Sequence, residues 1–258
     1  MLAVLDVFRS DSPVCTAEEI AGSLGYSLGT TYRYIRELAA TGLVARTETG
    51  FCLGPRIIEL DLAIRQCDPV LAASQPTMRD LRDRFGCDVL LIQFFNDRVV
   101  VSHHVEGDDR ITVSFGRGKV MPLFRGAGSK ALLAALPRAR QKRLYDCFKT
   151  RIANDGLGTD WAAFRGNLVH LESERHAVSV EELDKGNVGV AAAIPATQHG
   201  LVLVFSTRRY AVLDKSLVRD AVIAAAEDVG GVLSARPSVR EGEGQARAGD
   251  GAVARRPF

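Results

Sequence analysis

Apolar positions in the first fifty residues fall into short stripes of helical period and then into two strand-like runs. Met1, Val4, Leu5 and Phe8 stand at i, i+3, i+4 and i+7, which predicts a first helix. Thr16 and Glu19 have capping-box spacing, and Ala17, Ile20, Ala21 and Leu24 repeat the same stripe up to Gly25, a residue able to end a helix in the left-handed conformation. Ser27 is placed to cap a further helix whose inward positions are Thr31, Ile35 and Leu38, leaving Gly29, Thr30, Arg33 and Arg36 outward. Leu43 to Thr47 and Phe51 to Leu53 then flank Glu48, Thr49 and Gly50, a hairpin with a glycine available for positive φ. Two short helices, a glycine turn and a wing over residues 1–54 outline a winged helix-turn-helix. The plainer reading of the same stripes is a helical hairpin inside a core.

Pro55 opens a helix in which Ile57, Ile58, Leu62 and Ile64 wrap much of the circumference, so residues 55–68 are expected to be a linker helix that needs a partner for burial. Pro69 interrupts it, and a helix carrying Met78, Leu81 and Phe85 is expected to end at Gly86. Asp88–Phe95, Arg98–Val105 and Arg110–Phe115 follow as strand-like runs of an antiparallel meander. Helices are predicted over Lys130–Leu136 and Arg138–Phe148, and from Trp161 on the stripe of Phe164, Leu168 and Leu171. Strands are predicted at Ala177–Val180, Val188–Ile194 and Leu201–Ser206, and a last helix from about Asp214 to Leu233. Residues 69–233 thus form an α+β domain with a sheet of about six strands. Residues 234–258, rich in Gly, Arg and Glu without apolar periodicity, are expected to be a disordered tail.

Composition changes this picture little: 258 residues, 47% hydrophobic and 25% charged, suit two globular domains, and no apolar run approaches the roughly 20 residues of a membrane span. No signal peptide is expected before the first helix, and five cysteines without CxxC spacing suit free thiols in a reducing cytoplasm. Charge changes it more. In residues 1–70 six arginines stand against nine carboxylates, a net charge of −3, so the bulk basic footprint of a DNA-binding domain is missing and only Arg33, Arg36 and Arg46 supply it locally. Weak affinity per protomer favours a dimer reading two half-sites. Catalytic and metal chemistry find little support. His103 and His104, adjacent on a strand, point to opposite faces, one expected to be buried and one exposed; the other histidines lack HxxxH spacing; Gly116–Lys119 lacks the Walker pattern and is expected to be a turn. No cofactor and no catalytic residue is assigned. An enzyme, or a small-molecule sensor whose winged helix meets protein, is the second class of function.

Several separate segments carry a resemblance: ELAATGLV after TTYRYIR, the LGP of Leu53, Gly54 and Pro55, VVVSHHVEG at Val99–Gly107, GKVMPLFRGAGSKALLAALP at Gly118–Pro137 and VSVEELDKGNVGVAAAIPA at Val178–Ala196. In this order and spacing the chain, from residue 1 to about 233, resembles the IclR family of bacterial transcriptional regulators. The resemblance implies a cytoplasmic regulator with a winged helix on operator DNA and a GAF-like domain for a small organic or aromatic acid, working as a homodimer or dimer of dimers. Residues expected at DNA are Thr16, Ser27, Gly29, Thr30, Tyr32, Arg33, Arg36 and Arg46. Leu28 stands where the family usually keeps a lysine, which removes one phosphate contact. Residues expected at the effector are Met121, Arg125, Gly126, Ala127, Glu182, Asp184, Ala193 and Ser206. The family loop often has histidine and threonine where this chain has Phe124 and Gly126, which implies a roomier, more apolar wall, and Arg125 is the best placed group to hold a carboxylate.

Overall fold

The computed structural model describes residues 1–9, 11–109 and 111–235. The chain divides into two compact units, Met1–Gln75 and Pro76 onward.

In the first unit the N-terminal stripe forms a six-residue 3-10 helix, Leu2–Val7, in place of the expected α-helix, and still buries Val4. Tight i→i+3 turns rarely run longer than this. The chain then turns back through paired backbone hydrogen bonds between Arg9 and Ser12. Helix α1, Ala17–Leu24, starts on a complete capping box: Glu19 N–H donates to Thr16 Oγ1 at 3.2 Å and Thr16 N–H to Glu19 Oε2 at 2.8 Å. It ends at Gly25, whose φ of 68° is left-handed. Helix α2, Leu28–Ala40, is capped by Ser27 and buries Thr31, Ile35 and Leu38. Strands β1, Val44–Arg46, and β2, Phe51–Leu53, make the antiparallel wing. Val4, Phe8, Ala17, Ile20, Ile35, Leu38 and Val44 close one small core.

The glycines of the wing serve close approach and not positive φ, contrary to expectation for Gly50. A Cβ at Gly50 would sit 2.6 Å from the Cys15 carbonyl oxygen, because Cys15 bridges Phe51 there. A Cβ at Gly54 would lie 2.1 Å from the carbonyl oxygen of Gly42. Helix α3, Arg56–Cys67, follows, and none of its residues is buried. Ile58 is 73% exposed, Leu62 55% and Ile64 56%.

Helix α4, Pro69–Phe85, begins with Asp68 Oδ1 accepting from the N–H groups of Val70 and Leu71, and it carries the chain from the first unit into the second. Met78, Leu81 and Phe85 are buried as their spacing predicts, and Gly86 takes φ +62°. The second unit is built on a six-stranded, wholly antiparallel sheet of β3 (Asp88–Phe95), β4 (Arg98–Val105), β5 (Val120–Met121), β6 (Ala177–Val180), β7 (Asn187–Ala193) and β8 (His199–Ser206). Their order is β5-β4-β3-β8-β7-β6. Between Leu91 and Ile92 the β3–β4 register shifts, so Ser102 is an extra residue on β4, its Oγ donating to the Leu91 carbonyl at 3.1 Å.

Helices cover both faces. Helix α5, Ala127–Ala135, packs on β7 and β8 and against α7, Trp161–Glu174, which in turn meets α6, Arg138–Asn154. Leu90, Ile92 and Phe94 of β3 join their core, with Phe124 among Phe148 and Phe164. Helix α9, Lys215–Ala235, buries Val218, Val222, Ala225 and Val229 and packs on β7 and β8, after a short helix α8, Thr207–Val212, that the sequence pattern did not indicate. Coverage on both sides explains why β3 and β8 are apolar runs without clear alternation.

The third meander strand was expected at residues 110–115. Residues 111–115 instead run as an irregular strap, and the edge strand is Val120–Met121. The backbone groups of this strap are met by side chains: Ser114 N–H donates to Asp184 Oδ2 at 3.1 Å, and Asn187 Nδ2 donates to the Thr112 carbonyl at 2.9 Å. Gly116–Lys119 is the expected turn. The expected tail lies outside the described residues apart from Ser234 and Ala235, which belong to α9.

Candidate DNA interface and effector pocket

On α2 the residues Gly29, Tyr32, Arg33 and Arg36 recur at i, i+3, i+4 and i+7 and are all exposed, a stripe opposite the buried Thr31, Ile35 and Leu38. Arg36 pairs at 3.8 Å with its neighbour Glu37, its side chain 77% exposed. The Arg33 guanidinium rests 5.3 Å from the Tyr34 ring centroid, an arrangement that keeps it extended over an aromatic face. Arg46 is exposed on the wing strand β1.

Three hydroxyls expected at DNA are engaged within the fold. Thr16 Oγ1 accepts from the Glu19 amide and donates to Glu19 Oε2, and Ser27 Oγ accepts from the Thr30 amide while bonding Thr30 Oγ1 at 3.0 Å. Thr16 and Ser27 therefore set where α1 and α2 start.

The second unit contains a small pocket, with a cavity volume of about 40 Å³, against one face of the sheet. Gly128 and Gly189 let α5 sit close on the strands there: a Cβ at Gly128 would be 2.6 Å from Ile92 Cδ1. Leu90, Val202 and Val204 of the sheet, Met121, and Val113 and Phe115 of the strap supply apolar walls, while Ser179, Glu182, Asp184 and Asn187 supply polar ones.

Of the expected effector residues, Met121, Ala127, Glu182 and Asp184 line this pocket together. The other four do not, each for a local reason. Arg125 is exposed and turns its guanidinium to the Glu182 backbone carbonyl. Gly126, with φ +85°, opens no room, because Leu183 fills the space a side chain would take, its Cδ1 2.7 Å from the ideal Cβ. Ala193 lines a separate groove with Leu171, Arg175 and Glu227. Ser206 caps α8, accepting from Arg209 N–H at 3.1 Å, while its own N–H donates to Asp109. Phe124 is fully buried in the core and forms no pocket wall. Val113, Phe115 and Leu183 line the pocket without having been expected there. Only the apolar alternation of Ile111, Val113 and Phe115 hinted at an inward face, and that pattern also fits an ordinary strand.

His103 and His104 are both half-buried, which corrects the expectation of one buried and one exposed ring, although they stand opposite Leu91 and Leu90 in continuous register and so on opposite faces. His104 Nε2 lies 2.7 Å from Asp88 Oδ2, and Asp88 Oδ1 accepts from Gly107 N–H, so the pair ties β4 and the turn after it to β3. Burial pushes the neighbouring Cys87 thiol up to about 12, the opposite of what a nucleophile needs. Among the described residues no group of three or more metal-ligating side chains is assembled, and no helix is long and apolar enough to cross a membrane.

Residues 1–48 match the IclR helix-turn-helix domain, and residues 63–230 match the family described as bacterial transcriptional regulator IclR, C-terminal. The HTH-type transcriptional regulator Rv1719 of Mycobacterium tuberculosis is 30% identical over 203 residues, which is 78% of this chain and 77% of that protein. An IclR-type transcriptional regulator of Alicyclobacillus acidocaldarius has the same fold, with a TM-score of 0.71 at 22% identity over 89% of this chain and 95% of its own. So does an IclR homologue of Microbacterium hydrocarbonoxydans solved in complex with 4-hydroxybenzoate, with a TM-score of 0.70 at 19% identity over 91% and 98% of the two chains. These relatives are regulators and not enzymes. With both family domains matched in order along a fold that presents an exposed helix stripe and a separate pocket, the chain belongs to the IclR family of bacterial transcriptional regulators.

Proposed function

We propose that this regulator is cytoplasmic, that it binds its operator as a homodimer or dimer of dimers through Gly29, Thr30, Tyr32, Arg33, Arg36 and Arg46, and that a small organic or aromatic acid in the pocket of the second unit modulates the binding. The exposed stripe on α2 carries the DNA half of this reading: guanidinium groups stand on the same face as a glycine that lets backbone approach backbone. The uncovered apolar residues of α3 support pairing, since a helix with Ile58, Leu62 and Ile64 in water needs a second surface, and a second copy brings two weak half-site readers together. An effector is supported by the pocket itself, apolar for most of its wall with a few convergent polar groups.

The test is a gel-shift titration of promoter-proximal DNA at low salt. Arg33→Ala is expected to weaken the specific shift by about tenfold or more, in line with a contact of roughly 1–3 kcal/mol at a base edge. An unchanged shift would show that α2 is not the recognition helix. Release or tightening of the wild-type complex by an aromatic or aliphatic acid would establish the effector class.

A further inference from the structure

The pocket presents the opposite of what an acid requires: two carboxylates, Glu182 and Asp184, line it, and among the described residues no lysine, arginine or histidine does. The cation that belongs beside an acid is present and already engaged. Lys130, its side chain only 16% exposed, pairs through Nζ with Glu182 Oε1, and Glu182 Oε2 accepts from Gly126 N–H at 2.9 Å. Glu182 thus spans an ammonium and a backbone amide just outside a cavity whose remaining walls are mostly apolar. The same short segment latches the strap, through Asp184 on Ser114 N–H and Asn187 on the Thr112 carbonyl.

We propose that Glu182 is a resident stand-in for the carboxylate of the effector. An acid enters by exchange, taking the Gly126 amide and Lys130 from Glu182 while its body lies against Leu90, Val113, Phe115, Met121 and Val202. The exchange keeps Lys130 paired throughout, which avoids the cost of a buried unpaired charge. Displaced from this seat, Glu182 moves with the 181–187 turn, and the hydrogen bonds that Asp184 accepts from Ser114 N–H and Asn187 donates to the Thr112 carbonyl are released. Ligand arrival is thereby converted into a change in the strap. This inference rests on the acid-effector reading above and adds its regulation.

The test is calorimetric titration of the full-length protein with benzoate, 4-hydroxybenzoate, propanoate and butanoate, each beside its amide. Glu182→Gln is expected to bind the acids at least fivefold more tightly than wild type and the amides equally well. Glu182→Ala removes the competitor outright and is expected to act with the same sign. Lys130→Met is expected to lose at least tenfold in acid affinity. In wild type, adding the acid that binds is expected to speed hydrogen exchange of the amides at residues 112–114. Equal or weaker acid binding by both Glu182 variants would overturn the exchange while leaving the acid-effector reading intact. If none of the acids binds wild type or either variant, both proposals fall.

Discussion

At the scale of single residues, close approach and burial decide more than side-chain identity shows. Cys87 is an example: it is enclosed between α4 and β3, and a Cβ at Gly107 would lie 2.3 Å from its carbonyl carbon. Burial raises its thiol from an ordinary 9.0 to about 12, so the folded protein holds a proton that the unfolded chain releases above pH 9. Its contribution to stability is complete below pH 9 and is lost as pH rises toward 12, at up to about 1.4 kcal/mol per pH unit. Iodoacetamide at pH 8.5 is expected to label the exposed Cys67 and Cys147 and to spare Cys87 until the protein unfolds, and the urea midpoint is expected to fall between pH 9 and 11. Labelling of Cys87 in the native state would show that its pocket opens. Such effects are poorly legible in sequence. Gly50, Gly54 and Gly126 look alike as letters, but the first two admit a neighbouring backbone and the third is covered by Leu183. The direction of Arg125 depends on a carbonyl 57 residues away in the chain.

At the scale of elements, legibility follows locality. The caps of α1 and α2, the ends of β6 and the stripe of α7 are set by residues within a turn or two of each other, and spacing finds them. The strap at 111–115 has strand-like alternation but takes its hydrogen bonds from Asp184 and Asn187, some seventy residues on, so its departure from the sheet has no local signal. The pocket was half legible for the same reason: Met121 and Ala127 belong to one loop and helix start, whereas the strap walls depend on that long-range latch. The bulge in β4 yields a prediction at this scale. Removing Ser102 leaves Leu91 opposite His103 and Ile92 opposite Val101 in one continuous register, so no side chain changes face. Deletion of Ser102 is expected to cost less than about 1.5 kcal/mol, close to the loss of its hydrogen bond, while deletion of Val101 closes the same bulge but puts Ser102 in the buried place opposite Ile92 and costs roughly 3 kcal/mol or more. Denaturant melts of the two deletions decide it, and equal losses would refute the bulge as the tolerant position.

At the scale of the whole molecule, the chain divides into two compact units at Gln75/Pro76, within α4, whereas the sequence reading places its boundaries on either side of a linker helix at 55–68. The net charge of −3 in residues 1–70 and the bare apolar surface of α3 are the two features behind the proposed pairing. If α3 is covered by a second copy, stability is coupled to association. The thermal midpoint is then expected to rise with protein concentration from about 1 to 100 µM, and Ile64→Arg is expected to abolish the rise and yield a monomer by light scattering. A midpoint independent of concentration would remove α3 as the pairing surface. The uncovered helix has one more consequence, for the cell's accounting of copies. If α3 pairs two copies and the paired form is the minor species, its amount follows the square of the protomer concentration, so halving the protein leaves a quarter of the proposed operator-binding form. Modest changes in synthesis or dilution at cell division then become steep changes in promoter occupancy before any metabolite is sensed.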